Sequence, residues 1–478
     1  MGGSTDHYSI QSLMLLLRSD GKSKEFGVND QITESLAEKL ARNEVKYLIP
    51  AFVDMHGIPK TKMVPIAHLQ RMLSGSELFT GAALDGVPQD VADDEVAAHP
   101  DPDSCMIVPW RNDSAWFASD LHYQQQPFPA CSRGILKRVL KKASEMGFQV
   151  NCGIEAEFFV FQDDDASLCP VSTLQNLEKP AYDAVRLMDN LDRWMGDTVD
   201  AMNELGWDVY SFDHEDGIGQ FEIDFDYTDA LTMADRFVFL RVMTHEIARK
   251  YGAYSTFMPK PFADKAGSGA HYNVSLATKD GQNLFDVGQN EDPRGCGLTE
   301  LGYQFVGGVM KHLPAIQAIA APTVNSYKRL IMKGSSSGYT WAPCFVSYGN
   351  NNRTNTVRIP SGGGRIELRS ADSACNPYLG IAMMVAAGLE GISEGMDPGS
   401  PHRENLYLKS DREREAAGVR WLPRTLAEAI DEFESDPLGR TVFGDEMFTA
   451  WTETKRLEWL SYQNHVSDWE YHHYLRRF

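Results

Sequence analysis

Four short stretches set charged or ligand-forming side chains at strand spacing. In Gly153-Ile154-Glu155-Ala156-Glu157-Phe158-Phe159 the carboxylates of Glu155 and Glu157 share one face of an extended segment. Burying both beside phenylalanines costs several kcal/mol unless a cation compensates. The run His214 to Asp226 turns at Gly217 and Gly219 and then alternates, so Glu222, Asp224 and Asp226 oppose Phe221, Ile223 and Phe225, with Glu215 nearby. Hard divalent ions such as Mg2+ or Mn2+ take oxygen ligands of this kind. Gly267-Ser268-Gly269 leads into an alternation that aligns His271, Asn273 and Ser275. Arg353, Arg358, Arg365 and Arg369 fall within seventeen residues, with Glu367 between the last two. Their planar forks match phosphate and carboxylate oxygens. Singly, each stretch has a plain alternative: an edge strand with a wet acidic face, a satisfied histidine, or a solvated ion-pair ladder. Together they describe a sheet whose inner face is cation-filled. Carboxylates there would hold two or three divalent metals and arginines would hold anions, which suits phosphoryl transfer by positioning and charge neutralisation.

Such a sheet needs elements on both sides of it. Leu36, Ala37 and Leu40 recur at helical spacing between Thr33 and Asn43, and strand-like runs Val45 to Asp54 and Ile58 to Pro65 flank the turn His56-Gly57. The stretch Asp120 to Arg133 has little periodicity and reads as a domain boundary, after which Ile135 to Met146 reads as a cationic helix. Strand signals then alternate with helices to the aromatic region Trp459 to Arg476. The expected class is α+β, with an appendage over 1–30, a small domain over 31–127 and a catalytic domain over 128–478.

Composition narrows the partners. Forty-five basic against sixty-seven acidic residues leave a formal charge of -22, which disfavours nucleic acid and anionic membranes. Seven scattered cysteines without CxxC spacing read as reduced thiols of a cytoplasmic protein. The short apolar run Leu13 to Leu17 fits neither a signal peptide nor a membrane span. Walker-type, kinase, GxSxG and HExxH motifs are missing from the sequence.

From about residue 30 onward the chain resembles the glutamine synthetases. The resemblance is carried by the Glu-x-Glu strand, Gly219-Gln220-Phe221-Glu222, the Gly-Ser-Gly-x-His turn, Asn325-Ser326-Tyr327-Lys328-Arg329, Asn352-Arg353 through Arg358-Ile359-Pro360, Arg365-Ile366-Glu367-Leu368-Arg369 and Asn376-Pro377-Tyr378-Leu379. It implies a small β-grasp-like N-terminal domain and a large domain with a curved antiparallel sheet. It further implies ring-shaped homo-oligomers, dodecamers, whose active sites are completed by a neighbour's N-terminal domain. By the same resemblance, Glu157, Glu215 and Glu222 would hold a metal on the glutamate side, and Glu155, His271 and Glu367 a metal bridging the ATP phosphates. Arg329, Arg369, Glu157 and Gly267 would bind the substrate glutamate. Asn273, Ser275, Arg365 and Tyr227 would approach the nucleotide, and Arg353, Arg358 and Trp341 would act on the reacting groups.

Departures from the family pattern concern the acceptor. Ammonia-using members carry Gly-Tyr-Glu-Ala-Pro where this chain has Gly338-Tyr339-Thr340-Trp341-Ala342-Pro343, and Phe-Asp-Gly-Ser-Ser where it has Phe79-Thr80-Gly81-Ala82-Ala83. Loss of both carboxylates weakens an ammonium site, and Trp341 and the alanines could wall an amine that carries a hydrocarbon group. The pattern, including the ending His465 to Glu470, is similar to the branch that makes γ-glutamyl amides of methylamine, isopropylamine or aniline. Ala266 and Asn273 depart even from that branch, standing where an Asn and a second His are expected. Tyr407, in Asn405-Leu406-Tyr407, lies near where some bacterial relatives are adenylylated, but an ordinary packed tyrosine is the simpler expectation. Three rival readings are an ammonia-using glutamine synthetase, a phosphagen-type kinase, and a non-catalytic structural or regulatory relative.

Overall fold

The computed structural model describes residues 30–162, 169–170, 182–183, 191–292, 294–333 and 338–478. The expected appendage over 1–30 lies, apart from its last residue, outside the described residues.

Helix α1 (Asp30–Arg42) buries Leu36, Ala37 and Leu40, the apolar set at helical spacing. It leads into a sheet of β1 (Tyr47–Val53), β2 (Pro59–Thr61), β3 (Glu77–Phe79), β4 (Val96–Pro100) and β5 (Ser114–Tyr123), in the order β2-β1-β5-β4-β3. β1 runs parallel to β5 and the other neighbours are antiparallel. The β1–β2 turn forms because the Asp54 carboxylate accepts from the amides of His56 and Ile58, each at 2.9 Å.

The expected boundary stretch is more ordered than its composition suggests. Asp120 to Tyr123 complete β5, and helix α2 (Ser132–Glu145) begins after eight intervening residues. Arg133, 3% exposed, donates to Asp101, Asp120 and Asp235 at 2.8–3.0 Å. These polar residues mimic a loop in sequence because their partners lie far apart along the chain.

The second sheet is built on the long strand β6 (Gln149–Gln162). With β7 (Val209–His214), β8 (Gln220–Phe225), β10 (Ala270–Ala277), β11 (Tyr348–Asn350), β12 (Val357–Ile359) and β13 (Ile366–Leu368) it takes the order β7-β8-β6-β10-β13-β12-β11, while β9 (Ala253–Thr256) pairs with the far end of β6. Pairing is antiparallel except between β11 and β12. One face packs on helices α3 (Ala230–Lys250), α4 (Glu300–Ala320) and α5 (Pro377–Glu394) through a core that includes Phe158, Trp194, Phe221 and Phe237. The other face carries the charged residues. A small separate core of Cys344, Phe345, Leu406, Tyr407 and Val419 lies beneath Tyr339 and Trp421. The chain closes with α6 (Asp445–Asn464) and α7 (Asp468–Tyr474). Among the described residues no helix is long and apolar enough to cross a membrane. The six cysteines whose side chains are described are unpaired and buried.

Candidate active site

Strand register, rather than any one strand, assembles the polar face. Glu157 on β6 stands opposite Glu222 on β8, Glu155 opposite His271 on β10, and Glu367 on β13 opposite both Asn273 and Arg358. Two triads result. Glu155, His271 and Glu367 each turn one ligand atom to a common point, as do Glu157, Glu215 and Glu222; within each set these atoms lie within 4.8 Å of one another. Like charges directly opposite on paired strands repel. Accordingly, burial and the charges of Glu157, Glu215 and Glu155 push the Glu222 carboxyl well above the usual carboxylate range. Burial also raises Glu157 and Glu215. The His271 ring, buried and facing Arg369, is pushed down to about 3 and is therefore a neutral imidazole. Its Nδ1 lies 2.8 Å from Glu155 Oε2 and its Nε2 3.5 Å from Glu157 Oε1, so it bridges the two triads. Crowded carboxylates with one neutral imidazole fit hard divalent cations, whose charge would reverse the repulsion that raises these carboxyls.

Arginines close the triads from one side. Glu367 is fully buried and accepts from Arg358 and, at 2.6 Å, from Arg369. Arg369 also donates to the Trp341 carbonyl at 3.3 Å. Arg329 is 3% exposed and donates to the carbonyls of Arg369 and Ser370 at 3.0 and 3.2 Å. Gly269 lies directly beneath it: a Cβ there would sit 2.5 Å from Arg329 Nη2 and 2.8 Å from His271 Nε2. Gly267 is also confined, 2.4 Å from the Pro259 carbonyl by the same construction, and its own carbonyl accepts from Gln220. Arg353 behaves differently from its neighbours in sequence. It is exposed and makes no hydrogen bond or ion pair among the described residues, although its charge acts on Glu215.

A cavity of about 400 Å³ opens beside Glu155 and is lined by Tyr227, Asn273, Ser275 and Arg365, the four residues expected near the nucleotide. Asn273 donates to Glu155 at 2.9 Å and accepts from Arg365 at 3.1 Å, which ties this cavity to the first triad. Asp224 also lines it; burial and the neighbouring Glu155 push its carboxyl up to about 7. Strand spacing would place Arg365, Glu367 and Arg369 on one face, but β13 covers only three residues, so Arg365 is exposed at the cavity while Glu367 and Arg369 are buried. Trp341 is 47% exposed on the far side of Arg369. Thr80 lies exposed just after β3.

Three residues without an expected role support the site. Gln220 donates to Glu157 and to the Gly267 carbonyl, and Ser373 donates to the carbonyls of Glu157 and Gly269. Asp372, fully buried near Arg329, has its carboxyl raised by burial to about 6. Gln220 stands inside a recognisable motif and could have been found there; Ser373 and Asp372 sit in an irregular stretch that gives no periodic signal.

Residues 129–474 match the family model of the glutamine synthetase catalytic domain. The chain is 38% identical over 441 residues to the glutamate–methylamine ligase of Methyloversatilis universalis, covering 92% of this chain and 98% of that one. It is equally 38% identical over 442 residues to a glutamine synthetase of Rhizobium leguminosarum bv. phaseoli, with the same coverage. Among solved structures it is similar to a GmaS/ADP complex, with a TM-score of 0.84, 36% identity, and coverage of 92% and 99%. A curled sheet with this polar face and these relatives define an enzyme, an ATP-dependent carbon–nitrogen ligase. The chain belongs to the glutamine synthetase family, whose members use ATP and divalent metal.

Proposed function

We propose that the protein joins the γ-carboxylate of glutamate to a small organic amine of the methylamine, isopropylamine or aniline type, yielding a γ-glutamyl amide, ADP and phosphate. The observation that carries this reading is the acceptor segment. Gly338 to Pro343 contains no carboxylate, and Trp341 is half-exposed beside Arg369. An ammonium ion needs acidic and hydrogen-bonding partners, whereas a neutral amine with a hydrocarbon group gains from an apolar wall.

The γ-carboxylate oxygen of glutamate attacks the terminal phosphorus of ATP, ADP leaves, and γ-glutamyl phosphate forms. The amine nitrogen then attacks the acyl carbon, phosphate leaves, and the nitrogen loses a proton. Two to three Mg2+ or Mn2+ ions held by the triads would supply charge neutralisation for the phosphates. Arg329 and Arg369 orient glutamate above Gly267 and Gly269, with Glu157 at its side. Arg358, Arg353 and Arg365 face phosphate charge, and Tyr227, Asn273 and Ser275 wall the nucleotide. In this reading 31–127 and 128–478 form two domains of a cytoplasmic protein that assembles into rings, and Thr80 of one subunit faces the acceptor side of the next.

The equal identity to a glutamine synthetase favours ammonia as the second reading. Phosphate release with ATP, Mg2+ and glutamate across ammonium, methylamine, ethylamine, isopropylamine and aniline separates the two. Strong stimulation by one organic amine over ammonium is expected; preference for ammonium would refute the acceptor assignment.

A further inference from the structure

Tyr407 belongs to the small separate core and to neither triad, yet it reaches the acceptor segment by two routes. It sits in the short turn Leu406–Leu408, whose start is fixed by the Asn405 side chain accepting from the Tyr407 amide at 3.0 Å. The residue is 8% exposed, so its hydroxyl is not presented for modification. That hydroxyl donates to the Ala342 carbonyl at 2.7 Å, and its ring stacks on Tyr339 with centroids 5.5 Å apart and planes 18° apart. Tyr407 thus holds the residues on both sides of Thr340 and Trp341.

The held segment is not at rest. Trp341 has φ +59, the left-handed region that a bulky side chain adopts only where its surroundings impose it. Its carbonyl is gripped by Arg369, the Thr340 hydroxyl donates to the Ile331 carbonyl, and its ring lies 6.1 Å from that of Tyr339. Behind Tyr407 the support is rigid: Arg414, 5% exposed, donates to the Leu406 carbonyl at 3.0 Å and lies over the rings of Phe345 and Trp421. A tyrosine that only filled the small core beneath Tyr339 would have no use for a hydroxyl aimed at the acceptor segment.

We propose that Tyr407 is a positioning residue for the acceptor amine, its hydroxyl and ring holding Tyr339 to Ala342 in the turn that presents Trp341 beside Arg369. This rests on reading that segment as the acceptor wall. Tyr407→Phe removes the hydroxyl and keeps the ring; Tyr407→Leu removes both. Phosphate release is measured at saturating ATP and glutamate while the amine preferred by the wild type is varied, together with the KM for glutamate and the melting temperature. Loss of one neutral hydrogen bond corresponds to about a fivefold change in binding. Tyr407→Phe is therefore expected to raise the amine KM about fivefold, with kcat and the glutamate KM moving by less than about twofold. Tyr407→Leu is expected to raise the amine KM further. In a Trp341→Gly background, where the left-handed turn no longer needs holding, Tyr407→Phe is expected to add little. A lowered melting temperature with an unchanged amine KM would overturn the proposal and leave Tyr407 a core residue. If the wild type prefers ammonium, the organic-amine reading fails by itself, and the same KM comparison made with ammonium still decides the role of Tyr407.

Discussion

Gly269→Ala adds one methyl group at a crowded point of the site. Gly269 does not adopt a left-handed backbone, so alanine fits there and the effect is steric. The new Cβ would lie 2.5 Å from Arg329 Nη2, 2.8 Å from His271 Nε2 and 3.2 Å from Glu157 Oε1. Ordinary contact requires roughly 3.5 Å, so the guanidinium must retreat by roughly 1 Å. The backbone cannot retreat instead: the Gly269 amide donates to Glu157 at 2.7 Å and its carbonyl accepts from Ser373 at 2.8 Å. Overpacking of this kind costs about 1–3 kcal/mol. A misplacement of about 1 Å in a substrate clamp costs roughly a hundredfold in rate. In the phosphate-release assay kcat/KM should fall by about two orders of magnitude, with a raised KM for glutamate and a melting temperature lowered by only a few degrees. Activity within about threefold of wild type at unchanged glutamate KM would show that Arg329 does not clamp the substrate from above Gly269.

Glu367→Gln keeps the shape of a fully buried side chain but removes the charge shared by Arg358 and Arg369. Phosphate release should be abolished, and chemical denaturation should show a loss of about 3–5 kcal/mol; retained activity would sink the metal-ligand assignment. Trp341→Glu restores a carboxylate to the acceptor segment and should shift preference toward ammonium in the amine panel, while an unchanged profile would mean that the segment does not select the acceptor. His312 reports on pH. Burial opposes its charge, but Asp436 at 2.7 Å and Glu390 at 3.2 Å outweigh that and raise its pKa above 6.5. The folded pKa exceeds the unfolded one, so this stabilisation is complete below about pH 6.5 and is lost as pH rises through the folded value. The melting-temperature gap between wild type and His312→Gln should be widest near pH 6 and narrow toward pH 9; a gap independent of pH would refute it.

Alternation made the faces of the site strands legible in sequence. Glu222 and Asp224 are separated from Phe221 and Ile223 by strand geometry alone, and the burial pattern of β8 follows it. What alternation lacks is register. That Glu157 meets Glu222, or that Glu367 meets Asn273, depends on pairings between strands tens of residues apart. Short or irregular stretches hid the rest. The parallel β11–β12 pair is only three residues long, Ser373 sits in a turn, and the partners of Arg133, far apart along the chain, made its neighbourhood look like a linker. Arg353 shows the converse: proximity in sequence to Arg358 grouped it with residues whose burial it does not share.

The Arg133 cluster also constrains how this protein can be recombined. One guanidinium takes two acids from the region of the first sheet, Asp101 just after β4 and Asp120 in β5, and a third, Asp235, from α3, where Tyr378 donates to the same carboxylate at 2.6 Å. A cut between residues 127 and 128 would leave Arg133 paired with Asp235 alone and deprive Asp101 and Asp120 of this guanidinium. Chimeras that replace residues 30–127 with a relative's sequence therefore need acids matching Asp101 and Asp120, whereas a seam upstream of Asp101 keeps both acids with Arg133.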